Sequence, residues 1–220
     1  MKLDRVQAER FPAIGQLGTV VHGFTLRVPG LEMSLDKREA LARLDGEHRR
    51  VLNESGLGNL PVVTAQQVHG NRIGVVEQAT ENKCFELCDG LVSNQVGVAL
   101  GIYVADCCAV YLVDPVRHVI GLVHSGRKGT ELGIVSNAIQ SMTESFGSRP
   151  ADLVVQLSPC IRPPHYEIDF AAAIVRQCRD LGVTTINDCG VCTACDLDRY
   201  YSYRAEKGRT GRMLAFLAMR

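Results

Sequence analysis

The stretch Val96–Gly129, V-G-V-A-L-G-I-Y-V-A-D-C-C-A-V-Y-L-V-D-P-V-R-H-V-I-G-L-V-H-S-G-R-K-G, decides the fold. Its runs Val96–Val104, Ala109–Val113 and Val119–Val123 are almost continuously apolar, which predicts strands covered on both faces. Polar chemistry is placed at their ends. The first run stops at Ala105-Asp106-Cys107, and the third stops at His124 before a basic turn, Gly126-Arg127-Lys128-Gly129. A thiol and an imidazole thus fall on neighbouring strand termini.

Towards the N-terminus, Thr19–Arg27 reads as a strand, with Arg27 just before the Pro29-Gly30 turn. Leu41, Leu44, Val51 and Leu52 recur at helical spacing, so a surface helix is expected there, weakened at Gly46 and stopped at Gly56. Pro61–Gly70 and Arg72–Glu77 read as two strands of a hairpin turning at Gly70-Asn71, which puts His69 at a strand end. Glu81–Gly90 reads as a loop closed by the turn signal Asp89-Gly90.

Towards the C-terminus, Leu132, Val135, Ala138, Ile139 and Met142 share one helical face, with Thr130 as cap and Gly147 as stop. Ser125–Gly129 would then precede a helix N-terminus, where free N–H groups favour an anion. Asp152–Leu157 and Val183–Ile186 read as strands and Phe170–Leu181 as a helix stopped by Gly182. Two strand-like pieces flank a turn at Glu206–Gly208, and Tyr200, Tyr201 and Tyr203 either stack on a ligand base or pack a sheet edge.

With 24 basic and 24 acidic residues, no global field favours nucleic acid or an anionic membrane. No apolar run approaches the roughly 20 residues of a membrane span. The stretch M-K-L-D-R-V-Q-A-E-R-F-P scatters charge where an export signal needs an apolar segment, so the expected location is cytoplasmic. In a reducing compartment, the nine cysteines are buried, metal-bound or reactive more often than disulfide-linked. Cys189, Cys192 and Cys195 have an iron–sulfur-like spacing, but Asp196-Leu197-Asp198-Arg199 follows where the cluster pattern continues with cysteine and proline.

Three candidate ligands, His69, Cys107 and His124, each end a strand beside a turn. Two imidazoles and a thiolate are an allowed catalytic zinc set, with the fourth position left for water, which such an ion activates near neutral pH. The same atoms allow a second chemistry, in which Cys107 is a nucleophile with His124 as its base. Cys108 points to the opposite face.

The motifs H-G-F-T-L-R (22–27), Q-V-H-G (67–70), A-D-C (105–107), H-S-G-R-K-G (124–129), S-P-C-I (158–161), Y-E (166–167), Cys192-Thr193, S-Y-R (202–204) and T-G-R (210–212) stand in one order. That order resembles the YfiH-like, laccase-domain proteins, formerly called multicopper polyphenol oxidoreductases and since described as purine nucleoside phosphorylases. The resemblance implies one domain over 1–220 with an α/β/β/α layered sandwich of mixed sheets, shared with cysteine hydrolases of the cytotoxic-necrotizing-factor type. It implies zinc on His69, Cys107 and His124, with copper able to take the same site, and these three as the catalytic residues. The implied activity is phosphorolysis of adenosine, inosine and methylthioadenosine, with adenosine deamination as a second reaction.

On that resemblance, the partners are purine nucleosides and phosphate, without nucleic acid or membrane, and homodimer formation is left open. Arg27, Arg127, Lys128 and Arg204 are the expected substrate or phosphate contacts. The loop departs from the family, which usually reads H-A-G-W-R-G; here Arg127 replaces an aromatic and Lys128 an arginine, losing a stacking surface and a bidentate fork. Six histidines without an H-x-H pair argue against a multicopper laccase centre. The competing readings are a metal-free cysteine hydrolase or deamidase using Cys107 and His124, and a purine-binding protein with weakened catalysis.

Overall fold

The apolar run at the centre of the sequence divides between two sheets. The computed structural model describes residues 8–220, so most of the charged N-terminal stretch discussed above lies outside them. In chain order the elements are β1 (Ala8–Glu9), α1 (Pro12–Gly15), β2 (Val20–Thr25), α2 (Lys37–Glu54), β3 (Val62–Ala65), β4 (Ile73–Val76), β5 (Lys83–Phe85), β6 (Gly90–Ser93) and β7 (Ala99–Val104). There follow β8 (Cys108–Asp114), β9 (Val119–Ser125), α3 (Arg127–Glu131), α4 (Ile134–Phe146), β10 (Val154–Leu157), α5 (Phe170–Asp180), β11 (Thr185–Asp188) and β12 (Met213–Met219). One sheet has the order β1-β2-β12-β7-β3-β5 and the other β11-β10-β8-β9-β6-β4, both mixed.

The layers follow from strand alternation. On β8, Tyr111 faces the inter-sheet core with Phe24, Leu100, Ile102, Ile120, Leu122 and Leu217. Its neighbours Val110 and Leu112 face the other way, against Ile134, Ala138, Ile139 and Met142 of α4 and Ile174 and Cys178 of α5. On the far side, Val51 and Leu52 of α2 cover Ala99, Leu214, Phe216 and Ala218. The result is the expected α/β/β/α sandwich. It explains the continuous apolar runs: both faces of β7, β8 and β12 are covered, and each fully buried leucine contributes about 1.5–3 kcal/mol.

Strands β3, β5 and β7 run parallel in the first sheet, and each passes the chain to the second sheet, to β4, β6 and β8 respectively. β4 and β6 are parallel, while β6 and β8 both run antiparallel to β9. The three crossings, 66–72, 86–89 and 105–107, therefore lie at one end of the sandwich. Backbone bonds stitch them together: Gln67 N–H donates to Cys88 O (2.9 Å), Asp89 N–H to Arg72 O (3.0 Å) and His124 N–H to Asp89 O (2.7 Å).

Four expectations are corrected. Strands β3 and β4 are no hairpin, because the segment between them changes sheets. Residues 81–90 hold a short strand, β5, and the start of β6 rather than a loop alone. The helix expected after Thr130 begins at Ile134, as α4, and a separate short helix, α3, already covers Arg127–Glu131, so Arg127 and Lys128 lie within a helix rather than ahead of one; Gly133 in the left-handed region (φ 72°) divides the two, Leu132 is left exposed, and the Thr130 hydroxyl bonds Gly126 O instead of capping α4. Of the two C-terminal strand pieces only β12 forms. Helix α2 runs uninterrupted through Gly46, capped by the Asp36 carboxylate accepting the Glu39 N–H at 2.8 Å.

Candidate metal centre and active-site cavity

Each of the three crossings delivers one polar side chain to the same point: His69, Asp89 and Cys107. The end of β9 adds His124, paired across the ladder with Ala109. One potential ligand atom each from His69, Cys107 and His124 lies within 4.8 Å of the others. The two imidazole rings meet edge to face, with centroids 4.8 Å apart at 80°. His69 is exposed, Cys107 half-buried and His124 buried, so the cluster opens on one side.

Asp89, which the sequence suggests only as a turn residue, holds this geometry. Its fully buried carboxylate contacts His124 Nδ1 at 2.9 Å, leaving Nε2 as the atom free to ligate. The same carboxylate accepts the N–H groups of Val68 (3.1 Å), His69 (2.8 Å) and Gly70 (2.8 Å). That anchors the crossing where Gln67 and His69 occupy the left-handed region, at φ 62° and 59°, a conformation that persists in non-glycine residues only when held from outside. Gln67 is fixed as well: its amide donates to Tyr103 O (2.6 Å) and accepts the Tyr103 N–H (2.9 Å). Beside Cys107, Asp106 (φ 79°) accepts Thr193 Oγ1 at 2.8 Å and the Arg204 N–H at 2.7 Å.

Burial alone would raise the Cys107 thiol, but the His124 charge and hydrogen bonds from both imidazoles hold its pKa down to about 6. Burial would depress His124, yet the Cys107 thiolate and the Asp89 carboxylate raise it to about 9. Against its own burial, Asp89 is held below the usual carboxylate range by His124 and the donated N–H groups. The Cys107 thiolate and the Asp89 carboxylate are in the ionisation state that suits a cation, whereas His124 would release its Nε2 proton on binding one.

The surroundings fit an ion. A Cβ built on Gly126 would stand 2.5 Å from Cys107 Sγ and 3.9 Å from His69 Cδ2, so only glycine leaves the sulfur accessible. Two imidazoles and a thiolate, with Asp89 behind one imidazole, are a donor set and support suited to zinc or copper. Among the described residues, this is the one group of three or more His, Cys, Asp or Glu side chains placed to hold a metal.

The cluster forms the floor of a cavity of about 870 Å³. Apolar and aromatic walls come from Ile161, Tyr166, Phe170 and Tyr203, and the rim carries Lys37, Arg127, Lys128, Arg204, Lys207 and Arg212. Of the expected substrate contacts, Arg127, Lys128 and Arg204 line this cavity. Arg27 does not: its guanidinium is committed to Glu206 and Tyr200 O, over the Tyr201 ring at 4.8 Å. Tyr200 and Tyr201 are core residues, so of the three tyrosines only Tyr203 borders the cavity. Sequence reading missed Asp89, Gln67, Lys37 and Arg212; Gln67 and Arg212 stand in quoted motifs, whereas Lys37 carries no local signal.

Two stacked mixed sheets, with two imidazole nitrogens and one thiolate sulfur gathered at their crossing end, define a layered domain with a soft-ligand metal-type site. The chain matches the family described as multi-copper polyphenol oxidoreductase laccase over residues 26–171 and 164–220, and it belongs to that family. A Bacillus subtilis relative named purine nucleoside phosphorylase YlmD is 28% identical over 196 residues, 72% of this chain and 70% of its own. A Corynebacterium glutamicum relative, also named purine nucleoside phosphorylase, is 33% identical over 190 residues, covering 74% of this chain and 76% of that protein. The crystal structure of YlmD from Geobacillus stearothermophilus superposes with a TM-score of 0.84 at 25% identity, covering 99% of both chains.

Proposed function

We propose that the protein is a zinc-dependent purine nucleoside phosphorylase acting on adenosine, inosine and methylthioadenosine, with adenosine deamination as a second reaction, and that residues 1–220 act as one domain in the cytoplasm. The observation that carries this reading is the convergence of His69, Cys107 and His124 beneath a cavity with aromatic walls and a cationic rim. The relatives named as purine nucleoside phosphorylases support it. No helix among the described residues is long and apolar enough to cross a membrane.

His69, Cys107 and His124 would hold the ion, and Asp89 would keep His124 in the Nδ1–H tautomer. Bound zinc supplies Lewis-acid polarisation at the cavity floor; copper can occupy the same donors. Tyr166, Phe170 and Tyr203 offer flat apolar surfaces for a purine ring, and the cationic rim suits phosphate. The test is metal analysis of protein purified without chelator, coupled to a nucleoside panel with and without phosphate. About one zinc per chain and phosphate-dependent base release are expected, both lost in His69→Ala and Cys107→Ala. Base release that continues unchanged in Cys107→Ala would sink the reading.

One observation favours a second reading: Cys107, His124 and Asp89 also form a thiolate, an imidazole and an orienting carboxylate in series. A metal-free cysteine hydrolase built on them would lose activity on thiol alkylation, keep much of it in His69→Ala and contain no stoichiometric metal.

A further inference from the structure

The cations on the cavity rim are not equivalent. Arg127 is paired with Glu131 at 2.9 Å and with Glu167 at 3.6 Å, and Arg204 with the same Glu167 at 3.1 Å. Two arginines are thus balanced by two carboxylates. Lys128 and Lys207 are exposed and solvated. Lys37 and Arg212 differ from all four: both are half-buried, and among the described residues neither forms an ion pair.

Lys37, the first residue of α2, reaches only Gln66 O, at 3.4 Å. Arg212, just before β12, donates Nη1 to Thr210 O (3.0 Å) and Gly211 O (2.8 Å), which leaves Nη2 and Nε unspent. Burial first, and then the charge of Arg212, lowers the Lys37 ammonium; burial likewise lowers the Arg212 guanidinium. The carboxylates that act on the pair are engaged elsewhere: Asp89 with His124 and three N–H groups, Asp106 with Thr193 and Arg204 N, and Glu206 with Arg27, Thr210 and Ser202 N. Of the other groups that act on the pair, Cys107 is already engaged by two imidazoles, while Cys84 and Tyr203 bring a thiol and a phenol rather than a carboxylate, the Tyr203 ring lying 5.7 Å from the Arg212 guanidinium. Two partly desolvated like charges on one wall lack a counter-charge.

We infer that Lys37 and Arg212 form an oxyanion subsite of the cavity, taking inorganic phosphate or the phosphate group of a substrate, while Arg127 and Arg204 remain tied to their carboxylates. Assigning the occupant as the co-substrate of phosphorolysis rests on the function proposed above; binding of the anion does not.

The experiment titrates the full-length protein with inorganic phosphate, and separately with adenosine 5′-monophosphate, by calorimetry, alongside phosphate KM measurements. Lys37→Met and Arg212→Gln are expected to weaken phosphate at least about tenfold, Lys37→Arg to retain it, and Arg38→Gln, at an exposed position of α2 outside the cavity lining, to change it by less than about threefold. Should Arg212→Gln misfold by releasing residues 210–211, Lys37→Met at the start of α2 carries the test alone. Binding of the monophosphate alone, with the same Lys37 dependence, upholds the subsite and makes the substrate's own phosphate its occupant. Lys37-dependent phosphate binding without base release from any nucleoside upholds the subsite and removes the phosphorylase reading. Phosphate-dependent base release with an unchanged phosphate KM in Lys37→Met overturns the subsite and leaves the phosphorylase reading standing. Failure of both anions to bind the wild-type protein also overturns it.

Discussion

At the scale of single residues, the site depends on a fully buried side chain that does not line the cavity. Asp89 fixes the His124 tautomer through Nδ1 and fastens the backbone of His69 in a left-handed conformation. Asp89→Asn keeps the volume but loses the charge, and its amide would confront donors with a donor. Metal affinity in this variant is expected to fall about 10–100-fold, read by competition with a chromogenic chelator. The three candidate ligands are legible in the sequence because each ends an apolar run beside a turn. Asp89 is not, since an aspartate before glycine is also what an ordinary turn needs. Arg27 reads as available for the same reason in reverse: its partner Glu206 lies 179 positions away, beyond any local pattern.

At the scale of elements, helix α2 offers two substitutions of opposite sign. Asp36→Ala removes the N-cap acceptor of Glu39 N–H and is expected to cost about 1 kcal/mol. Gly46→Ala fills open space in the exposed middle of the same helix, with nothing within 4 Å of the new Cβ, and is expected to gain about 0.5–1 kcal/mol. Thermal melts of both variants check the pair, and a loss in Gly46→Ala would contradict the uninterrupted helix. The strands are legible as strands, but their sheet membership is not. Alternation in β3 and β4 is the same whether they pair with each other or, as here, with β7 and β6 in different sheets. The break at Gly133 escapes for a related reason: Leu132 continues the apolar spacing even though it points to solvent.

At the scale of the whole molecule, two buried histidines set the response to acid. Burial, reinforced by Arg10, holds His22 down to about 4, and its Nε2 accepts the Phe11 N–H at 2.8 Å, which only a neutral ring can do. Burial likewise holds His48 down to about 4. Because both folded values lie below the unfolded value of about 6.5, the unfolded chain binds protons that the native one refuses between those limits. Stability therefore falls as pH drops from about 6.5 towards 4, by a total on the order of a few kcal/mol. Urea midpoints at pH 7.5 and 4.5 measure the loss, and His48→Gln should shrink it.

The crossings also dictate an order of assembly. Cys107 ends the crossing from β7 to β8, and β7 is held in its sheet between β3 and β12, the latter following every other described strand in the chain. His69 and Asp89 belong to connections that have a fixed shape only once both sheets are stacked. An ion cannot template such a place locally, as it does in a zinc finger, where ligands sit a few residues apart. An ion held by His69, Cys107 and His124 would arrive after the architecture is complete and would then rivet one sheet to the other. A chain ending before Met213 is expected to capture no ion during synthesis, as elemental analysis of the truncated product would show.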